Sequence, residues 1–293
     1  MKKKSSFSTR GQRADIGDLV IHRILPNRYA DAVGPFVFLD HIIPKIQEKV
    51  NKEGTGAHPH RGIATLSYIL NGEDEHFDSA GNYAIVHSGG VQWMNAGSGI
   101  IHDETLNYDS RTDSRLTHAF QFWINLPSKI KAGKPAYLAI EGNEVPYKEL
   151  PDGKGWIKVI VGSFEELSSS IPNYSEQFIY HIHLEPGAGF ATNFADKLEV
   201  AAYLPVLPAS INDEKFDAGD FIEFDRNAGS IALLNGNQEA ADFILFGGES
   251  YQEPIVAEGP FVMNSKLEVA NAYRDFYNGK YGKIDYEKQK SKA

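Results

Sequence analysis

The sequence predicts an all-β protein with two halves of similar size. Short runs of strand-forming residues alternate with turns rich in glycine and asparagine, a pattern typical of barrels and jelly rolls. The same rhythm of strand, glycine-rich turn and strand starts again after residue 155, which is compatible with a duplicated barrel. Residues 269–277 have helix-like spacing. We therefore expect two barrels in tandem, followed by a short C-terminal helix.

Turn-forming residues bound each strand of the first half. One strand ends at Pro26, and another ends in Asn71-Gly72, the strongest short hairpin signal, so we expect a hairpin there. Two glycine-rich turns, at 88–90 and 95–99, deliver the chain to the strands that follow them. Strands of this half are expected at 19–25, 34–41, 64–70, 83–87, 91–94 and 116–126, and the second glycine-rich turn leads into Ile100, Ile101 and His102.

The second half begins after a polar crossing. Residues 127–155 are rich in lysine, glycine, glutamate and proline, which suits a passage between domains. We expect an N-terminal domain at residues 1–133 and a C-terminal domain at 134–293. Strands of the C-terminal domain are expected at 156–161, 178–184, 198–207, 221–224, 230–234 and 243–246.

Composition narrows the function class. Of the 293 residues, 42% are hydrophobic and 23% are charged, which are globular values. The 39 acidic residues outnumber the 29 basic ones, and the net charge of -10 opposes attraction to nucleic acid or to an anionic membrane. With no cysteine there is no disulfide and no thiolate metal site. We find no transmembrane run and no signal-peptide core, so we expect a cytoplasmic protein.

Two short segments carry the candidate chemistry. His58 and His60 flank a proline, and His102 and Glu104 flank Asp103. Residues two apart on a strand point to the same face, so neighbouring strands would bring three imidazoles and one carboxylate together. Three nitrogens and one oxygen suit a borderline divalent metal such as iron, nickel, manganese or zinc.

The motifs around these segments resemble the pirin family, within the cupin superfamily. The resemblance runs over nearly the whole chain, and its combination of motifs is specific where a lone His-x-His would be weak. The matching stretches are residues 34–41, 58–62, 92–97, 99–102, 123–127 and 259–264.

This resemblance implies two cupin (double-stranded β-helix, jelly-roll) barrels, with metal only in the N-terminal one. Its ligands would be His58, His60, His102 and Glu104, holding one divalent ion: iron first, with nickel, manganese, zinc and copper as alternatives. In the second barrel the corresponding stretch, 189–194, offers no ligand.

The chain departs from the family pattern at two places. Ala64 stands where cupins commonly have a glutamate, so the carboxylate ligand must be Glu104. Asp103 stands where pirins commonly have Ser or Ala, and on a strand it would face away from the metal. From there its charge could act on the ligands from outside their immediate shell.

The resemblance implies two classes of function. The first is a quercetinase-like dioxygenase that opens a flavonol or related phenolic ring with O₂, with Glu104 as the catalytic proton acceptor. The second is a metal-dependent, redox-sensing regulator that acts through protein contacts without turnover. A third reading is a metal that only braces the barrel. We expect a monomer in each case.

The remaining histidines are expected to be structural or surface groups. His181 and His183 have the same spacing as the proposed ligands but lack a second ligand-bearing strand, so we interpret them as an outward polar face. Arg61 faces away from the ligands and is expected to form an ion pair or anchor a loop. The other structural or surface histidines are His41, His76, His87 and His118.

Overall fold

The computed structural model describes residues 1–291, which form short strands and a few short helices. The first eleven strands, β1 to β11, are Ser5–Arg10, Gln12–Arg13, Ile21–Leu25, Phe36–Ile46, His58–His60, Ile63–Asn71, Glu73–Asp78, Tyr83–His87, Val91–Asn95, Ile100–Asn107 and Leu116–Asn125. The next fifteen, β12 to β26, are Ala136–Ile140, Tyr147–Glu149, Gly155–Val161, Ser163–Phe164, Leu167–Ser168, Gln177–Leu184, Gly189–Phe194, Leu198–Tyr203, Ala209–Ile211, Glu214–Phe216, Asp220–Phe224, Gly229–Leu234, Ala241–Glu249, Val256–Glu258 and Phe261–Met263. The helices α1 to α3 are Ser128–Lys131, Lys266–Tyr277 and Tyr286–Lys290. The predicted all-β class is confirmed.

The chain divides into two compact units, each assembled from separate stretches. One, here called the histidine unit, comprises Ala14–Ile21, Ile42–Glu144 and residues 252–291. The other, the companion unit, comprises Met1–Arg13, His22–His41 and Val145–Tyr251. The domain boundary expected between residues 133 and 134 divides the chain in sequence order, and it stays a prediction.

Two sheets build the histidine unit. Strands β12, β9, β6 and β11 pair in that order, and β5, β10, β7 and β8 form a four-stranded sheet. Ile69, Val86, Leu106 and Ala119 form one of its buried apolar clusters. The four-stranded sheet contains both segments that the sequence analysis singled out.

The hairpin predicted at Asn71-Gly72 is wrong. Strand β6 pairs with β9 and β11, whereas β7 pairs with β8 and β10, so the turn passes between two sheets. Gly72 has φ +114°, and a Cβ added there would lie 2.4 Å from the carbonyl oxygen of Asn107. The glycine is therefore needed for a sharp corner beside a neighbouring strand, a local requirement that resembles that of a hairpin.

The companion unit has a seven-stranded sheet, in the order β1-β22-β19-β24-β17-β14-β13, and a four-stranded sheet, β18-β23-β20-β21. Its interior is filled by apolar side chains from both sheets. Strand β17 shows the alternation clearly, since Tyr180, Ile182 and Leu184 enter this core. His181 and His183 therefore lie on the other face of the sheet.

The predicted C-terminal helix is confirmed as α2, which starts three residues earlier than expected. Ser265 caps it by accepting a hydrogen bond from the backbone N–H of Glu268. Among residues 1–291 we find no helix with the length and apolar character needed to cross a membrane.

Candidate metal centre

Strand β10 is the centre of the candidate site. On one side it pairs with β5, where His102 lies opposite His58 and Ile100 opposite His60. On its other side it pairs with β7, where Glu104 lies opposite His76. The two segments expected on neighbouring strands therefore do lie on neighbouring strands, and a third strand joins them.

The rings of His58, His60 and His102 converge. Their centroids are 4.4 to 5.0 Å apart, and one ring nitrogen of each lies within 4.8 Å of the others. The Nε2 atoms of His58 and His102 face each other at 3.0 Å. Two ring nitrogens at this distance can share one proton or one cation, because two lone pairs alone would repel each other.

Backbone carbonyls orient two of these rings. His58 Nδ1 lies 2.7 Å from the carbonyl oxygen of Gly56, and His60 Nδ1 lies 3.1 Å from that of Pro260. Since a carbonyl can only accept, each Nδ1 carries the proton and donates it. Each Nε2 is then left with a lone pair, which is the form that binds a metal ion.

Burial keeps the two inner histidines neutral. Burial, and then the neighbouring charge of His58, lowers the pKa of His60 to about 3. Burial, followed by the charges of His60, His58 and His76, holds the pKa of His102 well below its usual value. Neutral imidazoles are the species that bind a metal, so at neutral pH no proton has to leave either ring first.

Glu104 stands beside the three rings rather than among them. Its Oε2 accepts a hydrogen bond of 3.0 Å from Gln121 Nε2, and its Oε1 lies 3.5 Å from His76 Nδ1 and 3.6 Å from His102 Nδ1. Within the described residues, two sets of side chains have ligand atoms close enough to hold one metal ion. One set is His58, His60 and His102, and the other is His76, His102 and Glu104. The predicted ligands therefore fall into two overlapping groups that share His102.

His76 is the site residue that the sequence analysis missed, since it was expected to be a structural or surface group. It is fully buried, and its ring stacks on Tyr137 at 4.3 Å. Burial lowers its pKa, but the carboxylates of Asp78 and Glu104 beside the ring outweigh burial and raise the pKa to about 9. The signal that could have found it is its spacing to Asp78, which repeats the spacing of His102 to Glu104 on the next strand.

The residues fit a divalent cation. The Nδ1 atoms of His76 and His102 are buried and have no hydrogen-bond partner. Buried polar groups are normally satisfied, and these two unpaired nitrogens lie beside Oε1 of Glu104, which fits a site that binds a further group. The imidazoles of His58, His60 and His102, together with the carboxylate of Glu104, supply the donors that iron, nickel, manganese and zinc accept.

Two neighbours of the ligands lie as expected. Asp103 faces away from the rings and accepts hydrogen bonds from Gly56 N–H and from the hydroxyl of Tyr286. Arg61 forms an ion pair of 2.9 Å with Asp275. Neither side chain is placed to bind a cation at the histidines.

His181 and His183 on β17 do not form the outward polar face that was expected. His181 is buried, and His181 Nε2 and His183 Nδ1 lie 2.9 and 2.7 Å from the same Asp242 oxygen. The ring of His183 also stacks on Trp156 at 4.9 Å. The sequence analysis missed Asp242, which comes from the neighbouring strand β24.

The chain is similar to known proteins over most of its length. The family model described as pirin matches residues 19–124, and the model described as the pirin C-terminal cupin domain matches residues 179–282. A pirin-like protein of Caulobacter vibrioides is 32% identical over 272 residues, which cover 92% of this chain and 92% of that protein.

Solved structures agree with this result. A quercetin 2,3-dioxygenase of Acinetobacter baumannii superposes with a TM-score of 0.89 at 28% identity, covering 97% of this chain and all of that one. A bacterial pirin of Escherichia coli, in complex with nickel(II), superposes with a TM-score of 0.62 at 20% identity, covering 84% of this chain and 99% of that one. The second likeness concerns the fold alone.

Proposed function

The chain belongs to the pirin family, and we propose that it is a quercetinase-like dioxygenase that opens a flavonol or a related phenolic ring with O₂. A divalent metal ion would be held by His58, His60, His102 and Glu104, with iron as the first candidate and nickel, manganese, zinc and copper as alternatives. A monomer in the cytoplasm remains our expectation.

One observation carries this proposal. Three histidines, of which His60 and His102 are buried, meet at one point. His58 and His60 direct lone pairs there because backbone carbonyls accept their Nδ1 protons. Support for the substrate class comes from the likeness to a protein named quercetin 2,3-dioxygenase.

The residues around the cation would share the chemistry. When bound, a divalent metal supplies Lewis acidity, which lowers the pKa of a hydroxyl that coordinates it. Glu104 is the group that accepts the hydroxyl proton, because its carboxylate is almost buried at 7% exposure and lies beside the histidines. Gln121 donates to one oxygen of Glu104 and so directs the other oxygen toward the rings.

His76 would assist Glu104. Its Nδ1 lies 3.5 Å from Oε1 of Glu104, while its Nε2 lies 3.5 Å from Asp78. A histidine held between two carboxylates can supply or store a proton beside the catalytic group.

Turnover of quercetin by the purified protein tests the proposal. Protein loaded in turn with iron, nickel, manganese, copper and zinc is mixed with quercetin in oxygenated buffer. We expect loss of the flavonol absorbance and release of carbon monoxide with at least one metal. Glu104→Gln, which keeps the shape of the side chain but removes its basicity, should lower kcat by about 100-fold or more.

The absence of turnover with every metal at full occupancy would refute the enzyme assignment. Metal-dependent binding to another protein would then favour the regulatory class. Chelation that unfolds the protein, together with no activity after reloading, would favour a bracing metal.

A further inference from the structure

Asp103, the acidic residue between two candidate ligands, has no part in the proposed chemistry. Because it alternates with His102 and Glu104 on β10, its side chain lies on the opposite face of the sheet. There Asp103 Oδ1 accepts a hydrogen bond of 3.0 Å from the backbone N–H of Gly56. Asp103 Oδ2 accepts one of 2.9 Å from the hydroxyl of Tyr286.

Gly56 connects this carboxylate to a candidate ligand. Its N–H donates to Asp103, while its carbonyl accepts from His58 Nδ1 at 2.7 Å. Gly56 has φ +86°, in the left-handed region that glycine adopts without strain. One residue can thus present its two backbone groups to the carboxylate and to the imidazole.

Tyr286 is 40% exposed, and contacts between helix α3 and strand β7 place it beside Asp103. Its ring packs edge-on against Phe77 with centroids 5.0 Å apart. Three residues further along α3, the side chain of the buried Gln289 donates to the carbonyl oxygen of Asp78 at 2.9 Å, and Lys290 pairs with Glu75 at 3.1 Å. Helix α3 is therefore fixed to strand β7, which carries His76.

Residues near the C-terminus also contact His60, the second candidate ligand on β5. The carbonyl oxygen of Pro260 accepts the Nδ1 proton of His60 at 3.1 Å. Arg61, the next residue, pairs with Asp275 of helix α2. Within residues 260–286, Pro260 therefore contacts His60 directly, and Tyr286 is linked to His58 through Asp103 and Gly56.

We propose that Tyr286 and Asp103 are positioning residues that hold His58, through Gly56, in the tautomer and orientation that bind the cation. The inference rests on the proposed metal site, and it assigns helix α3 the role of supporting one ligand of that site. Burial, and then the hydrogen bond to Asp103, raises the pKa of Tyr286 to about 12, so its hydroxyl keeps the proton that it donates.

Nickel(II) affinity, measured by calorimetry, is the first test. Outer partners of metal-binding histidines typically change affinity by about 10- to 100-fold, and Asp103→Ala should weaken binding by that much. Tyr286→Phe removes one hydrogen bond and keeps the ring against Phe77, so about 3- to 10-fold weaker binding is expected. In the double variant the Tyr286→Phe effect should vanish, because the hydroxyl acts only through Asp103.

Matched variants separate positioning from folding. Tyr277→Phe alters an exposed tyrosine of α2 and should leave the nickel affinity unchanged. Asp103→Asn keeps an oxygen for Gly56 N–H and should recover most of the affinity that Asp103→Ala loses. Strictly additive effects of Tyr286→Phe and Asp103→Ala, or a Tyr286→Phe protein with lower melting temperature and unchanged affinity, would overturn the proposal.

A second measurement does not depend on the metal. The imidazole ¹⁵N shifts of metal-free protein should show the His58 proton on Nδ1, and Tyr286→Phe should move the His58 signals toward a tautomer mixture. Unchanged His58 signals would overturn the inference. If His58 responds but the unmodified chain binds no divalent metal, the positioning stands and the proposed function fails.

Discussion

Two His-x-His pairs in this chain have the same spacing and opposite surroundings. His58 and His60 lie on β5, where the neighbouring strand β10 supplies a third histidine, and the three rings come together. His181 and His183 lie on β17, where the neighbouring strand β24 supplies Asp242 instead, opposite His183.

The difference lies in what the neighbouring strand offers the ring nitrogens. At β17 a carboxylate oxygen takes one nitrogen of each ring, so the pair is an internal charge cluster. At β5 the Nδ1 atoms donate to backbone carbonyls, and the Nε2 atom of His58 faces that of His102. The His-x-His spacing therefore brings two imidazoles to one face of a strand. The residue on the neighbouring strand determines whether their nitrogens meet a further histidine or a carboxylate.

The largest expected effect comes from removing His102, which the group of three histidines shares with the group of His76 and Glu104. His102→Ala takes away the donor that joins the three rings to Glu104, so the affinity for nickel(II) should fall by more than about 100-fold, beyond the usual effect of an outer partner. Calorimetry gives the affinity, and circular dichroism of the metal-free variant checks the fold. Binding that stays within about 3-fold of the unmodified protein would show that the metal lies elsewhere.

A smaller effect is expected on removing the charge of Asp242, which contacts His181 and His183. Asp242→Asn removes the charge shared by two histidines and should lower the free energy of unfolding by about 1–3 kcal/mol near pH 5.5. Urea unfolding of metal-free protein measures it, and nickel affinity serves as the control that should not change.

The pH dependence of that loss follows from two opposed shifts. Hydrogen bonding to Asp242 raises the pKa of His183 in spite of burial, so this contribution is present below about pH 6.5 and fades as the pH rises through the raised value. For Asp242, burial acts upward but hydrogen bonds from both histidines hold the pKa below its usual value. Its contribution is present above about pH 4 and fades in stronger acid. The Asp242→Asn loss should therefore be larger near pH 5.5 than near pH 9, and the reverse order would contradict the charge pairing.

The smallest effect on nickel affinity is expected from a substitution in the β17 pair. His183→Gln changes a histidine of the same spacing that already donates to Asp242, so the nickel affinity of the whole protein should stay within about 2-fold. Competition with a colorimetric chelator is sensitive enough for this comparison. A loss approaching that of His102→Ala would mean that β17 also holds the metal.

Much of the candidate site could be predicted from residues close in sequence. The alternation of a strand places His58 with His60 and His102 with Glu104, and the structure has them on adjacent strands. For His76 the only local signal is its spacing to Asp78, and its place opposite Glu104 depends on the register of β7 and β10. The hairpin expected at Asn71-Gly72 failed for a related reason, since a glycine at a corner between sheets satisfies the same backbone requirement.

The sequence by itself determined the strand period, the all-β class and the side-chain types available as donors, since these depend on local geometry and composition. Only the tertiary structure decided which strands became neighbours. That choice gave His183 a carboxylate, gave Glu104 a buried histidine, and brought Tyr286 to Asp103 across 183 positions of the chain. Pairing partners and register depend on how whole sheets bury their apolar faces, and no short stretch of sequence contains that information.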